Sequence, residues 1–111
     1  MTEDLENRLQ DGERLYGPML DETTYRVRAG ERLRAARLAL GYTSGEDFAD
    51  ATGVSESSLS CWEDGSDWVS PWYVSKLRKI FGIDHNWLYE GSLVGLSDDL
   101  FAAIHGLDQE K

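Results

Sequence analysis

The stretch Gly53–Gly65, Gly-Val-Ser-Glu-Ser-Ser-Leu-Ser-Cys-Trp-Glu-Asp-Gly, restricts the fold more than any other part of the chain. Gly53 and Val54 suit a tight turn, and the Ser55 hydroxyl is placed to accept from the first free N–H groups of a helix. Leu59 and Trp62, three apart, share one helical face and can bury it together. Gly65 can take the left-handed conformation that ends a helix. Glu56, Ser57, Ser60, Cys61 and Asp64 are left pointing elsewhere. Just upstream, Thr43 and Ser44 can cap a second helix, where Glu46 and Asp47 suit the N-terminal dipole. Phe48, Ala49 and Ala51 supply its apolar contacts, and Gly53 ends it.

Helical patterns continue on both sides. Over residues 30–41, Leu33, Ala36, Arg37 and Leu40 recur at helical spacing, and Gly41 closes the element. An Arg on that buried stripe needs an acidic partner, because an unpaired buried charge is expensive. Ser70-Pro71 is a strong helix start. The fourth helix runs over about 71–81, with Trp72, Tyr73, Leu77, Ile80 and Phe81 on its buried side and Lys76, Arg78 and Lys79 facing water or a ligand. Asp84 caps a short fifth helix with Trp87 and Leu88, ended by Gly91. Ser97 caps a last one with Leu100, Phe101 and Ile104, whose apolar face has little left to cover within one small domain and suggests a dimer contact.

Residues 1–29 read as an N-terminal arm. Thr2 can cap a short helix carrying Leu5 and Leu9, Gly12, Gly17 and Pro18 break it, and residues 19–27 look extended or irregular. Leu15, Tyr16, Met19, Leu20 and Tyr25 are costly to leave in water, so the arm is expected to pack on the domain or on a second subunit. The division is then an arm (1–29), a helical domain (30–91) and a C-terminal helix and tail (92–111).

From Arg32 to Gly91 these residues resemble the Xre family, the lambdoid phage repressor and Cro type of helix-turn-helix domain. The likeness rests on Arg32-Leu-Arg-Ala-Ala-Arg37-Leu-Ala-Leu-Gly41, Phe48-Ala-x-x-x-Gly53-Val-Ser55, Leu59-Ser-x-Trp62-Glu63-x-Gly65, Pro71 opening the fourth helix, and Phe81-Gly-Ile-x-x-x-Trp87-Leu-x-x-Gly91. Thr43-Ser44-Gly45 is about one residue longer than the usual loop into the second helix and lacks the Gln common there. The resemblance implies an all-α, five-helix lambda-repressor-like domain, here with an N-terminal arm and a short C-terminal helix, usually dimeric and binding operator DNA. It implies a structural ion pair between Arg37 and Glu63. It places the base-facing positions at Glu56, Ser57 and Cys61, with Ser60 nearby. Phosphate contacts are expected at the N-terminus of the second helix, Ser44 and Gly45, and from Arg34, Lys76, Arg78 and Lys79.

Charge pulls the other way. The 111 residues hold 21 acids against 11 bases, a net charge of −10, which repels DNA at long range. From Thr43 to Val69 there are seven acids and no Lys or Arg. Two functions therefore compete: a phage- or prophage-type transcriptional regulator that binds a double-stranded operator as a homodimer, or an acidic scaffold that has lost DNA binding and holds a basic protein partner. In the second form the chain would be a DNA mimic, an antirepressor, an inhibitor, or an antitoxin. Catalysis is not expected: there is no Ser-His-Asp order, no Gly-rich phosphate loop and no metal-ligand spacing. One Cys and two His give no metal set. No cofactor and no small-molecule substrate are implied. Without a membrane-length apolar run or a signal peptide, the expected location is the cytoplasm.

Overall fold

Asp21 starts the first helix, its carboxylate accepting from the Thr24 N–H at 2.7 Å. The computed structural model describes residues 20–109, and among them it contains six helices and no strand. They are α1 (Glu22–Ala39), α2 (Gly45–Thr52), α3 (Glu56–Glu63), α4 (Pro71–Phe81), α5 (His85–Glu90) and α6 (Asp98–Gln109). Their core is built from Leu33 of α1, Phe48 of α2, Leu59 of α3, Tyr73, Val74 and Leu77 of α4, and Leu88 of α5, all essentially without solvent exposure. The short N-terminal helix expected near Thr2 with Leu5 and Leu9, and the arm's apolar Leu15, Tyr16 and Met19, lie outside the described residues.

The segment expected to be extended over 19–27 is helical from Glu22 onward, so α1 runs straight through position 30. Thr23, Thr24 and Val27 are poor helix formers, and tertiary contacts outweigh their preference. Tyr25 donates to Glu90 Oε1 at 2.6 Å, Arg26 donates to the Gly65 carbonyl at 2.7 Å, and Val27 packs beneath Gly65. Gly30 is not a helix start. It is buried inside α1, where a Cβ would lie 2.2 Å from the Trp62 carbonyl oxygen and 2.9 Å from that of Glu63. Glycine is needed because α1 crosses the end of α3 backbone against backbone.

The caps follow local chemistry. Ser44 accepts from the Asp47 N–H at 3.3 Å, Ser55 from Ser58 at 3.1 Å, Asp84 from Trp87 at 2.8 Å and Ser97 from Leu100 at 3.2 Å. Ser70 stands at the N-cap of α4, but its hydroxyl makes no cap hydrogen bond; Pro71 alone shapes that start. The buried side of α4 also differs from expectation. Tyr73, Val74 and Leu77 are buried and Phe81 partly so, whereas Trp72 is 64% and Ile80 51% exposed. A helical stripe through 73, 74, 77 and 81 leaves 72 on the other side of the helix, and Ile80, seven residues past Tyr73, falls at its edge. On α2, Ala51 is exposed and Thr52 takes the inward place, its hydroxyl 2.7 Å from the Phe48 carbonyl and 2.9 Å from Tyr73 Oη.

The apolar face of α6 does find cover within the chain. It packs on α1, with Leu100 buried and Leu96 and Ile104 against the core. What stays outside near it is Leu93, Val94 and Phe101.

Candidate nucleic-acid interface

The turn between α2 and α3 is made by Gly53 at φ +73°, left-handed backbone that Gly adopts without strain. Beyond it, α3 divides lengthwise. Leu59 is buried, Trp62 lies 4.7 Å from the Tyr73 ring between centroids, and Glu63 turns inward. Arg37 Nε donates to Glu63 Oε2 at 2.9 Å and its Nη2 to Oε1 at 3.1 Å, a two-point grip across α1 and α3. The third nitrogen, Nη1, donates to the Tyr42 and Thr43 carbonyls at 2.8 and 3.0 Å and so holds the loop that leads into α2. One guanidinium thereby fixes both the end of α3 and the start of α2. Glu63 is neutralised inside the fold and drops out of the surface charge.

Two more arginines are spent on the frame. Arg26 caps the C-terminal end of α3 at Gly65, and Arg32 Nη1 reaches the Leu88 and Tyr89 carbonyls, each at 3.1 Å, at the end of α5. Cations at helix C-termini satisfy free carbonyls and suit the dipole. Sequence reading missed both roles, since Arg26 fell in the segment read as extended and its partner is 39 residues away. No buried side-chain nitrogen or oxygen among the described residues lacks a partner, and no group of His, Cys, Asp and Glu there could hold a metal ion.

The outward half of α3 carries Glu56, Ser57 and Ser60, all exposed, with Cys61 half-buried beside them. At the helix end, Asp64 accepts from the Ser66 hydroxyl and from the Ser66 N–H, the latter at 2.7 Å, and these bonds hold its carboxyl below the usual carboxylate range. It is therefore a fixed negative charge at neutral pH. On α2, Glu46, Asp47 and Asp50 are exposed. Ser44 and Gly45 are where the resemblance put phosphate contacts, but the Ser44 hydroxyl is engaged in the cap and two carboxylates follow it directly.

The four basic candidates do not form one set. Lys76 Nζ lies 2.8 Å from where a Cβ on Gly53 would stand, so its ammonium sits at the turn leading into α3. Lys79, three residues further, shares that face of α4, while Arg78, two residues from Lys76, points to nearly the opposite side. Arg34 is exposed on α1, one turn past the Gly30 crossing with α3. The structure thus places the Lys76 ammonium at the turn that leads into α3, while Arg78 projects from nearly the opposite side of α4. Trp72 was unexpected here: its ring is exposed, with Lys76 Nζ 4.9 Å from the centroid.

Compared with known protein families, the chain matches the sequence model of the helix-turn-helix family over residues 33–88, which is 56 of its 111 residues. No match was found among curated proteins or among solved structures.

Proposed function

The chain belongs to the Xre-like helix-turn-helix family, and we propose that it is a phage- or prophage-type transcriptional regulator that binds operator DNA in the cytoplasm as a homodimer. The lengthwise division of α3 carries this reading. Its inner half is pinned by Leu59, Trp62 and the Arg37–Glu63 grip, while Glu56, Ser57, Ser60 and Cys61 face outward on a rigid support. In the major groove, Ser57 and Ser60 can bond to almost any base edge, and Glu56 can accept from a cytosine amino group. Lys76 and Lys79 would hold phosphates on one side, and the free N–H groups at Gly45 on the other. Arg34 and Arg78 would serve only a duplex that curves around the domain. Two copies reading two half-sites would meet through exposed Leu93, Val94 and Phe101 of the C-terminal segment.

A gel shift on duplexes selected from a random pool tests this reading. The expected result is a low-salt band that weakens when Ser57 and Ser60 are replaced by Ala.

One observation favours a second reading. With Arg26, Arg32 and Arg37 turned inward, the surface of α2 and α3 presents Glu46, Asp47, Asp50, Glu56 and Asp64, with Lys76 the one cation placed against it among the described residues. Such a face suits a basic protein whose own ligand is DNA, and complementary potential would steer the docking. In that case the chain acts as an inhibitor, antirepressor or antitoxin, and no duplex from the pool is retained even at low salt.

A further inference from the structure

The outward face of α4 is unexplained by either reading. Trp72, Lys76 and Lys79 fall at i, i+4 and i+7 and form one stripe, flanked by Ile80. Trp72 and Ile80 are among the most exposed large hydrophobic side chains of the described residues, at 64% and 51%. Neither lysine makes an ion pair among the described residues, where Arg37–Glu63 is the only one. A cationic stripe with a Trp at its head suits an acidic surface, and Trp is among the residues enriched at the centre of protein contacts.

The acidic surface of the chain itself fits that description by position as well as by sign. Glu46 and Asp50 lie one turn apart on one face of α2, and the helix closes at Gly53, its left-handed cap. Lys76 sits at that cap. The acidic face of α2 and the basic stripe of α4 are therefore neighbours that share a border. Two bordering patches of opposite sign are self-complementary about a two-fold axis through the border, since each patch of one copy then meets the opposite patch of the other.

We propose that a second copy of this chain docks on the α4 stripe through its α2 acidic face, in a reciprocal two-fold pair that covers Glu56 and the reading end of α3. Charge orients the pair, and Trp72 and Ile80 supply the apolar contact that exposed ion pairs alone do not. This pair differs from the one proposed on the operator, because it closes the DNA-facing surface. It does not depend on the DNA-binding reading.

Sedimentation velocity on the full chain tests it at about 0.05 M and 0.5 M salt, between which the screening length falls roughly threefold. The expected result is a dimer at low salt whose dissociation constant rises at least tenfold, in order of magnitude, at high salt. K76E/K79E and E46K/D50K are each expected to be monomeric with helical circular dichroism intact. Mixed in equal amounts, they are expected to form a dimer, since the mixed pair brings opposite charges together at both contacts. A monomeric parent at low salt overturns the proposal, as does a dimer indifferent to salt and to both variants, or a failure of the mixture to pair. A dimer that survives both variants but dissociates on Val94→Asp would place association at the C-terminal segment and also overturns it. A failed gel shift leaves these outcomes unaffected.

Discussion

Replacing Glu63 by Gln should cost the fold more than any surface change of similar size. In the parent, Arg37 makes four hydrogen bonds, two to the Glu63 carboxylate and two to the Tyr42 and Thr43 carbonyls. The side chains of Arg37 and Glu63 are 8% and 12% exposed, so water replaces little of what is lost. Breaking a buried pair by removing one charge costs about 3–5 kcal/mol. Gln keeps the shape and one acceptor oxygen, and the guanidinium keeps its two carbonyls, which brings the expectation to about 2–3 kcal/mol. For a domain of this size that is a fall in Tm of roughly 10–20 °C. The double replacement Arg37→Met with Glu63→Leu removes both charges and should recover part of the loss. It should not reach the parent, because the loop carbonyls lose their donor at about 1–3 kcal/mol for each one left dry. Urea and thermal unfolding followed by Trp fluorescence measure all three proteins. A Glu63→Gln Tm within about 2 °C of the parent would refute the claim that this pair clamps α3 to α1.

Two further perturbations follow from the packing. Gly30→Ala should destabilise by on the order of 2 kcal/mol, although Ala is favoured over Gly inside a helix by about 1 kcal/mol, because the new Cβ meets the α3 backbone at Trp62; a urea midpoint above that of the parent would contradict the crossing. Burial pushes the Tyr73 hydroxyl up to about 12, and burial with the hydrogen bond to Glu90 raises Tyr25 to about 12 as well. Both stay neutral in the fold where the unfolded chain has begun to ionise, so stability is full below about pH 10 and falls as pH rises toward 12. Alkaline unfolding monitored by tyrosinate absorbance checks this, and Tyr73→Phe should flatten part of the decline.

The parts legible in the sequence are those set by neighbouring residues. Ser44, Ser55, Asp84 and Ser97 mark helix starts because a cap needs only the next three residues, and Gly53, Gly82 and Gly91 mark ends because left-handed backbone suits Gly. Arg37 on an apolar stripe required an acid, and the family spacing pointed to Glu63. What escaped depends on contacts between distant segments. Asp21 was a readable cap, but β-branched Thr23, Thr24 and Val27 masked it, and α1 is held there by Glu90 and Gly65. Gly30 reads as a breaker locally and is a crossing point in space. Trp72 and Ile80 look like core by hydrophobicity alone, yet Trp72 points away from the stripe that Tyr73, Val74 and Leu77 bury and Ile80 lies exposed at its edge. The candidate site was legible as a set of outward positions on α3. Which cations stand beside it was not, since that depends on where α4 passes the α2–α3 turn.

The most direct test of the DNA-binding reading is the salt dependence of binding to a selected duplex, followed by fluorescence anisotropy. With Lys76 and Lys79 as the cationic phosphate contacts beside the uncharged α2 N-terminus, each protomer should neutralise about two phosphates, and log K should fall with log salt at a slope of about −2 per protomer. Lys76→Ala should flatten that slope by about one unit, while Arg78→Ala, on the far side of α4, should leave it unchanged. Absence of saturable binding at low salt, or equal binding of the selected and scrambled duplexes, would contradict the account.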